Sequence, residues 1–516
     1  MRPHPDLSGT APKPTWLPIG LGSLLRLVQI WMPVVGVHSW RQADTAAMAR
    51  HFSQEGTPIW LPQIDWGGAS AGFVESEFPL YPFLVSRLYN LIGVQEWLGR
   101  GLSVLCSALT IWLVMRLGRR WFTPQVGWWA GMAFALAPLG VYYGRTFQAE
   151  ALLVLCAAGS LEVHSIFVER RKAWALSLSW ICFTGAALIK VIPLLWLGLP
   201  LLLVQLTPSP RAKAGSPEQM LRRLLRLTLN PWFWVYVSTA LAVTSAWYVH
   251  AYQLGEASGL TFGFWGEDSD RSNIGLALNL SSWVNLAIRT GLRALVVTGV
   301  PLLMIGTMRC WRFGGGRIAL GGAVGMLICT VATMRSSTVH EYYQFPFLLF
   351  SSPLVGLGWQ TLQYKQRRWT IQILLSITLI ASLSILSFDY WAVETRRLST
   401  WMPLAESIRK EIPVNARVVC VTDSDPTLLN LARRQGWIIP SRELTIDQLK
   451  KLKNDGASYL TGSLNWRNTY TPMQEAESDR IRELIQAHNT SFIDNKEKTY
   501  LIPIKNLIPY GTYANP

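Results

Sequence analysis

The sequence predicts a mainly α-helical, polytopic membrane protein: a transmembrane bundle of about eleven spans, then a small C-terminal α/β domain on the outer face. Three observations carry this. Half of the 516 residues are hydrophobic and only 15% are charged, where soluble globular proteins carry about 25%. The apolar residues fall in runs near the roughly 20 residues that a helix needs to cross the bilayer core. The net charge of +16 is unevenly placed: residues 1–389 hold 30 Lys/Arg against 17 Asp/Glu, and residues 390–516 hold 17 against 14. The excess sits in short runs between apolar segments, namely Arg116/Arg119/Arg120, Arg170/Arg171/Lys172, Arg222/Arg223/Arg226, Arg309/Arg312/Arg317 and Lys365/Arg367/Arg368. That is the positive-inside pattern of a multi-pass protein rather than the single basic face of a nucleic-acid binder.

The spans are predicted near 17–37, 97–115, 124–142, 149–168, 173–189, 191–206, 232–252, 284–306, 317–334, 343–362 and 369–388. The run 79–94, interrupted by Pro82, Arg87 and Asn90, is expected to lie along the interface. With the N-terminus cytoplasmic, every basic run then faces inward. The outer segments carry the acids Asp44, Glu75, Glu77, Glu150, Glu267, Asp268, Asp270 and Glu341. The first apolar segment has no A-x-A-like site after it and reads as a retained span. Four of the six cysteines lie inside apolar segments, and no CxxC pair or disulfide framework is present. Residues 390–516 change character: strands are expected at 417–422, 457–461 and 499–504, and helices at 426–435 and 445–453. No Gly-rich phosphate loop occurs in them.

The outer loop 38–78 is the most informative segment, since loops this long tend to be functional. It opens with His38, Arg41 and Asp44 and closes with Glu75 and Glu77, among Trp40, Trp60, Trp66 and Phe78. Asp44 falls in the first turn of a short helix, where a carboxylate is favoured. Two acidic positions at a membrane surface suit a reaction on a lipid-borne substrate, one acid deprotonating an acceptor hydroxyl. Helix capping and pairing with Arg41 or Arg50 is the plainer alternative. A second outer turn, Tyr142 to Glu150, holds Arg145 and Gln148; a guanidinium there suits a two-pronged phosphate clamp. A third, Arg335 to Gln344, holds His340, Glu341, Tyr342 and Tyr343, either ligands for a sugar or phosphate or an interfacial aromatic belt. Lys190, between two apolar runs, either neutralises a phosphate or snorkels. Glu162 and His164, near the inner end of their span, read as solvated groups, and Glu267–Asp270 as a candidate lid.

These motifs together resemble the GT-C membrane glycosyltransferases, in particular the bacterial relatives of protein O-mannosyltransferases and lipid A aminoarabinose transferases. The matching stretches are WRQADTAAMARHF, ESEFPLYPFLVSRLYNLIGV, YYGRTFQAE, ALIKVIP and HEYYQFPF. The similarity covers about residues 17–390. It implies a GT-C bundle in a bacterial inner membrane and an inverting transfer from a polyprenyl-phosphate sugar to an acceptor hydroxyl on the outer face. By position it makes Asp44 the catalytic base or acceptor-orienting group, with Glu77, or else Glu75, as the second acidic residue. The Lys that follows this second acid in the aminoarabinose transferases is missing here. The donor phosphate then falls to Arg145, Lys190, Arg335 or Arg41, and substrate contacts to Gln148, His340, Glu341, Tyr342 and Tyr343. The lipid-borne donor needs no nucleotide pocket, and no cofactor is fixed by the resemblance. A divalent ion between Glu77 and His340 stays open, without local ligand spacing to support it. The acceptor class (lipid, protein or glycan) stays open too. The competing readings are a polysaccharide polymerase or ligase and a non-enzymatic transporter of lipid-linked sugars. A transporter places its ionisable groups at the midplane on broken helices, whereas these gather in outer loops.

Overall fold

The computed structural model describes residues 14–207, 209–211, 216–262, 274–464, 481–483, 493 and 498–507. The candidate lid at 267–270 lies outside them. The chain opens with α1 (Trp16–Leu27), α2 (Ser39–Gln54), α3 (Leu80–Ile92), α4 (Glu96–Trp121), α5 (Pro124–Leu136), α6 (Pro138–Tyr143) and α7 (Glu150–Arg170). There follow α8 (Ala173–Ile189), α9 (Pro193–Trp196), α10 (Gly198–Leu206), α11 (Pro217–Thr228) and α12 (Pro231–Ser258). Next come α13 (Ile274–Leu278), α14 (Leu280–Arg289), α15 (Gly299–Cys310), α16 (Gly314–Ala332), α17 (Met334–Val339), α18 (Leu348–Lys365), α19 (Arg368–Ile385) and α20 (Ala392–Glu411).

One local device recurs. Thr123-Pro124, Ser216-Pro217 and Asn230-Pro231 start α5, α11 and α12, each with the polar side chain accepting a backbone N–H of the first turn. Proline at the first helical position loses a donor that had no partner anyway, so the pair is a strong start signal.

By length and apolar composition, α4, α7, α16 and the run Arg368–Glu411 can each cross a membrane, and a pair bent by 98°, Leu280–Ala294 with Gly299–Cys310, makes a fifth if counted as one span. Eleven such helices were expected. Of the other predicted spans, 17–37, 173–189 and 191–206 map onto the shorter apolar helices α1, α8 and Pro193–Leu206, and 232–252 onto the 28-residue α12. The predicted interfacial run is α3, whose 13 residues reach only about 20 Å.

Helix ends sort by charge. Arg116 and Arg120, ending α4, pair with Glu162 and Glu169 near the end of α7. Arg211 donates to Arg119 O, Gly315 N to Pro210 O, and Gln125 pairs with Gln363 two residues before Lys365. The basic runs are thus joined by contacts into one end of the bundle. The 21 residues of α7 separate that end from Glu150 by about 30 Å, the thickness of a bilayer core.

The helix from α19 runs on into α20 through a π-turn at Leu386–Trp391, across the expected boundary at 389/390. The C-terminal sheet comprises β1 (Arg417–Val421), β2 (Gly436–Ile439), β3 (Ala457–Ser463) and β4 (Thr499–Pro503), ordered β2-β1-β3-β4. β1 pairs in parallel with β2 and β3, and β3 antiparallel with β4. Two further helices, α21 (Thr427–Ala432) and α22 (Ile446–Asn454), fall at the predicted places. β2 was not anticipated; four residues beginning with glycine give no alternation to read.

Candidate active site

α2 begins directly from His38, which is in the left-handed conformation (φ 53°). Its small residues Ala43, Ala46, Ala47 and Ala49 let it sink into the protein, so Gln42 through Phe52 are all buried. The strand-like loop that follows doubles back, with Ile64 N on Gly72 O (2.9 Å) and Val74 N on Pro62 O (3.0 Å).

Asp44 is enclosed, and Trp66 Nε1 donates to its Oδ1 at 2.9 Å. Burial pushes its carboxyl pKa up to about 8, although the Trp66 hydrogen bond and the Arg41 charge pull it down; the acids Asp65 and Asp425 add to the rise. One turn away, Arg41 forms an ion pair with Glu77 and lies 5.4 Å from the ring centre of Phe262. Lys190, just past the end of α8, is buried with Nζ 2.7 Å from Glu150 Oε1 at the start of α7. Its ammonium also sits 4.6 Å from the Tyr342 ring centre and 4.9 Å from that of Tyr343. Burial opposes the charge on Lys190, but Glu150 and Glu77 outweigh it and raise its pKa. Glu150 likewise acts on Arg41, so the two ion pairs form one charged patch. An aromatic wall adjoins it: His340 stacks on Tyr342 (5.3 Å) and meets His38 (5.3 Å) and Trp40 (5.6 Å). Burial, then the charges of Arg397, Arg289 and Arg293, lowers His38 to about 3. It is therefore neutral at physiological pH, a hydrogen-bonding group rather than a cation.

The structure therefore brings Asp44, Arg41, Glu77, Lys190, His340, Tyr342 and Tyr343 together. It separates the two rival acids: Glu75 turns away, paired with Thr261 through side chain and backbone bridge, while Glu77 faces the cations. Gln148, fully buried two residues before Glu150, accepts from Thr146 Oγ1 (3.1 Å) and keeps its amide Nε2 without a partner among the described residues. Glu341 accepts from Tyr143 (2.8 Å) and pairs with Arg293, which also holds Asp389 at 3.0 Å. Arg335 is exposed on α17. The expectation for Arg145 is corrected. Its guanidinium is wholly buried, pairing with Glu394, which also takes Arg100 at 3.4 Å. A phosphate has no open face there, and the arginine instead ties α20 to the segment after α1, donating to Gln29 O at 3.5 Å.

Several residues of the site were not singled out from the sequence. Asp65 binds Arg50 and, at 3.0 Å, His51 Nε2. Burial disfavours the charge on His51, but the bond and charge of Asp65 prevail and raise it. Asp425 comes from the C-terminal domain, where it accepts from Thr427 N (2.9 Å) while Thr427 Oγ1 meets Ser39 Oγ at 2.9 Å. No local sequence signal marks either acid. Among the described residues no three His, Cys, Asp or Glu side chains stand in metal-binding range. Glu77 is engaged by Arg41 and the His340 ring is stacked, so this donor set does not fit a divalent ion.

The chain aligns over 95% of its length with the crystal structure of ArnT from Cupriavidus metallidurans bound to undecaprenyl phosphate, covering 97% of that chain (TM-score 0.62, 14% identity). The chain has the GT-C glycosyltransferase fold. Other GT-C structures agree. The archaeal oligosaccharyltransferase AglB from Archaeoglobus fulgidus, in complex with an inhibitory peptide and a dolichol-phosphate, matches 87% of this chain and 69% of its own (TM-score 0.51, 12% identity). The arabinofuranosyltransferase AftD from Mycobacteria matches 92% of this chain but 37% of its own (TM-score 0.52, 15% identity). Residues 76–250 match the family model for dolichyl-phosphate-mannose-protein mannosyltransferase. No curated protein sequence matches the chain. The family-matched segment of this GT-C chain contains Glu77, Gln148, Glu150 and Lys190 and begins downstream of Asp44.

Proposed function

We propose that the chain is an inverting glycosyltransferase that moves a sugar from a polyprenyl-phosphate donor to an acceptor hydroxyl at the outer face of the membrane. The observation that supports this best is the meeting, within a GT-C fold, of a carboxyl group of raised basicity with a buried cation, Lys190, and a half-buried one, Arg41. In this reading Asp44 takes the proton of the acceptor hydroxyl. The oxygen forms a bond to the sugar's anomeric carbon, the carbon–oxygen bond to phosphate breaks, and the polyprenyl phosphate leaves. Lys190 and Arg41 balance the negative charge that develops on the leaving group. Glu150 and Glu77 keep those cations fixed and offset their burial before the donor arrives. His340 and Tyr342 are the hydrogen-bonding groups for the sugar. A base near its working pH transfers protons most effectively, which fits an Asp44 pKa of about 8.

The same reading makes the protein multi-pass, with the joined basic helix ends inside and the site and C-terminal sheet outside. The shorter apolar helices then complete the spans beyond α4, α7, α16 and α19. The test is a transfer assay in membranes carrying the chain, with a panel of radiolabelled polyprenyl-phosphate sugars. Label should pass from one donor to a product that is absent when the chain is absent. No transfer from any donor, with an acceptor-rich envelope extract supplied, removes the enzyme reading and favours a carrier of lipid-linked sugars.

A further inference from the structure

Near the far end of α7 lies a cavity of about 620 Å³, between that helix, α8, α10, α11 and α12. His164, in its wall, is 14 residues beyond Glu150, or about 21 Å along the helix, so the cavity is separate from the active site. Its volume is that of a small-molecule site, roughly 300–1,000 Å³. The polar atoms of its floor are taken up by one another: His164 bonds Ser179 at 3.1 Å and Gln205 at 2.9 Å, and Ser179 meets the Tyr236 hydroxyl at 3.1 Å. What faces the space is chiefly Leu and Phe. Three arginines line its mouth, Arg171, Arg223 and Arg226, and no Asp or Glu lines it among the described residues. Two of the three are fixed: Arg171 lies 5.7 Å from the Phe167 ring centre and Arg223 donates to Leu206 O at 2.9 Å. The one acid of α11 is directed to Arg222 at 2.6 Å.

The surroundings point to the bilayer as the source of a ligand. α11 exposes Leu221, Leu225 and Leu229 beside its arginines, the composition of a helix lying in the headgroup plane. A second hollow of about 360 Å³ between α8 and α12 shares Leu176, Trp232 and Tyr236 with the first. It carries the apolar track sideways to Ile181 and Val235, which are exposed. Cations at the mouth, apolar walls within and a lateral opening match a molecule with an anionic head and an apolar tail.

We infer that this cavity binds an anionic glycerophospholipid, its phosphate on Arg171, Arg223 and Arg226 and its acyl chain along the apolar track. Charge complementarity selects an anionic head over a zwitterionic one, because among the described residues no carboxylate lines the cavity to receive an ammonium. This site does not depend on the transferase reading.

The full chain, purified in detergent, is titrated with phosphatidylglycerol and with phosphatidylcholine of the same chains, and bound lipid is counted by native mass spectrometry. Phosphatidylglycerol should bind about tenfold or more tightly than phosphatidylcholine, whose choline cation is repelled by the three arginines. The pair R223Q/R226Q should remove that preference. Leu202→Trp, which fills the cavity and leaves the arginines in place, should weaken both lipids. Arg309→Gln, a basic residue outside the cavity lining, should change neither. Equal binding of the two lipids, or a preference that survives R223Q/R226Q, would overturn the assignment. So would displacement of phosphatidylglycerol by an equal concentration of inorganic phosphate, since the tail would then contribute nothing.

Discussion

A carboxyl group enclosed by protein and held by a single indole N–H keeps its proton longer than one in water, and Asp44 is such a group. Its raised pKa has two consequences with opposite signs. For transfer, the ionised form is the base, so the rate should climb with pH and level off above about 8. For stability, the unfolded chain releases this proton near 3.8 and the folded chain only near 8. The folded state therefore binds more protons between those values and loses stability as pH rises through that window. Asp44→Asn removes the burden of burying the charge. It should raise stability at pH 8 on the order of 1 kcal/mol, read as a higher midpoint in thermal unfolding, while transfer is lost. Lys190 shows the other side of burial. Lys190→Met leaves Glu150 without its cation and should cost about 3–5 kcal/mol, most of it recovered in Lys190→Met/Glu150→Leu; thermal unfolding of both variants checks this. Asp44, Glu77 and Lys190 stood out in the sequence as charged groups flanking apolar runs in a chain poor in charge. The partner of Arg145 was not, because Glu394 lies 249 positions away and only the fold brings them together.

At the scale of elements, the loop 38–78 is held by the C-terminal sheet. Gly68 N donates to Gly436 O at 2.8 Å and Gly436 N to Asp65 O at 2.9 Å, so the loop extends the edge at β2. Gly68 has φ 63°, and a Cβ there would come within 2.4 Å of Trp437 Nε1. Trp66, which holds Asp44, packs with the buried side chains of this same domain. Gly68→Ala should therefore slow transfer about tenfold or more through a misplaced Asp44, with the helical bundle unfolding at an unchanged temperature. An unaltered rate in that variant would remove the sheet from the account. The sequence disclosed three of the four strands by their β-branched and apolar runs. It did not disclose β2, the strand that meets the loop, since Gly436 and Trp437 serve the contact rather than a strand pattern. Long apolar elements such as α4 and α7 were legible, α7 to within two residues at each end, though α4 runs six residues past the predicted 115; α19 was not expected to continue into α20, because Asp389 and the charges beyond it read as the end of a span.

The whole molecule is a polarised object: two cation-bearing ends, one holding Arg41 and Lys190, which the proposal places at the outer face, and the other gathered from the basic runs. This orientation is checked by single cysteines at exposed serines, in the chain as it sits in cells. A membrane-impermeant maleimide should label Ser70→Cys and leave Ser209→Cys untouched; the reverse pattern would invert the molecule and place the transfer site inside. The central claim is that Asp44 is the base of a transfer that uses a polyprenyl-phosphate sugar. The most direct measurement is a single-turnover transfer rate with the active donor, comparing wild type, Asp44→Asn and Glu75→Gln at equal membrane insertion. The account predicts a loss of at least roughly 10²-fold for Asp44→Asn, the usual worth of a general base, and a near-normal rate for Glu75→Gln, whose carboxylate faces Thr261. An Asp44→Asn protein that transfers sugar at the wild-type rate would contradict it.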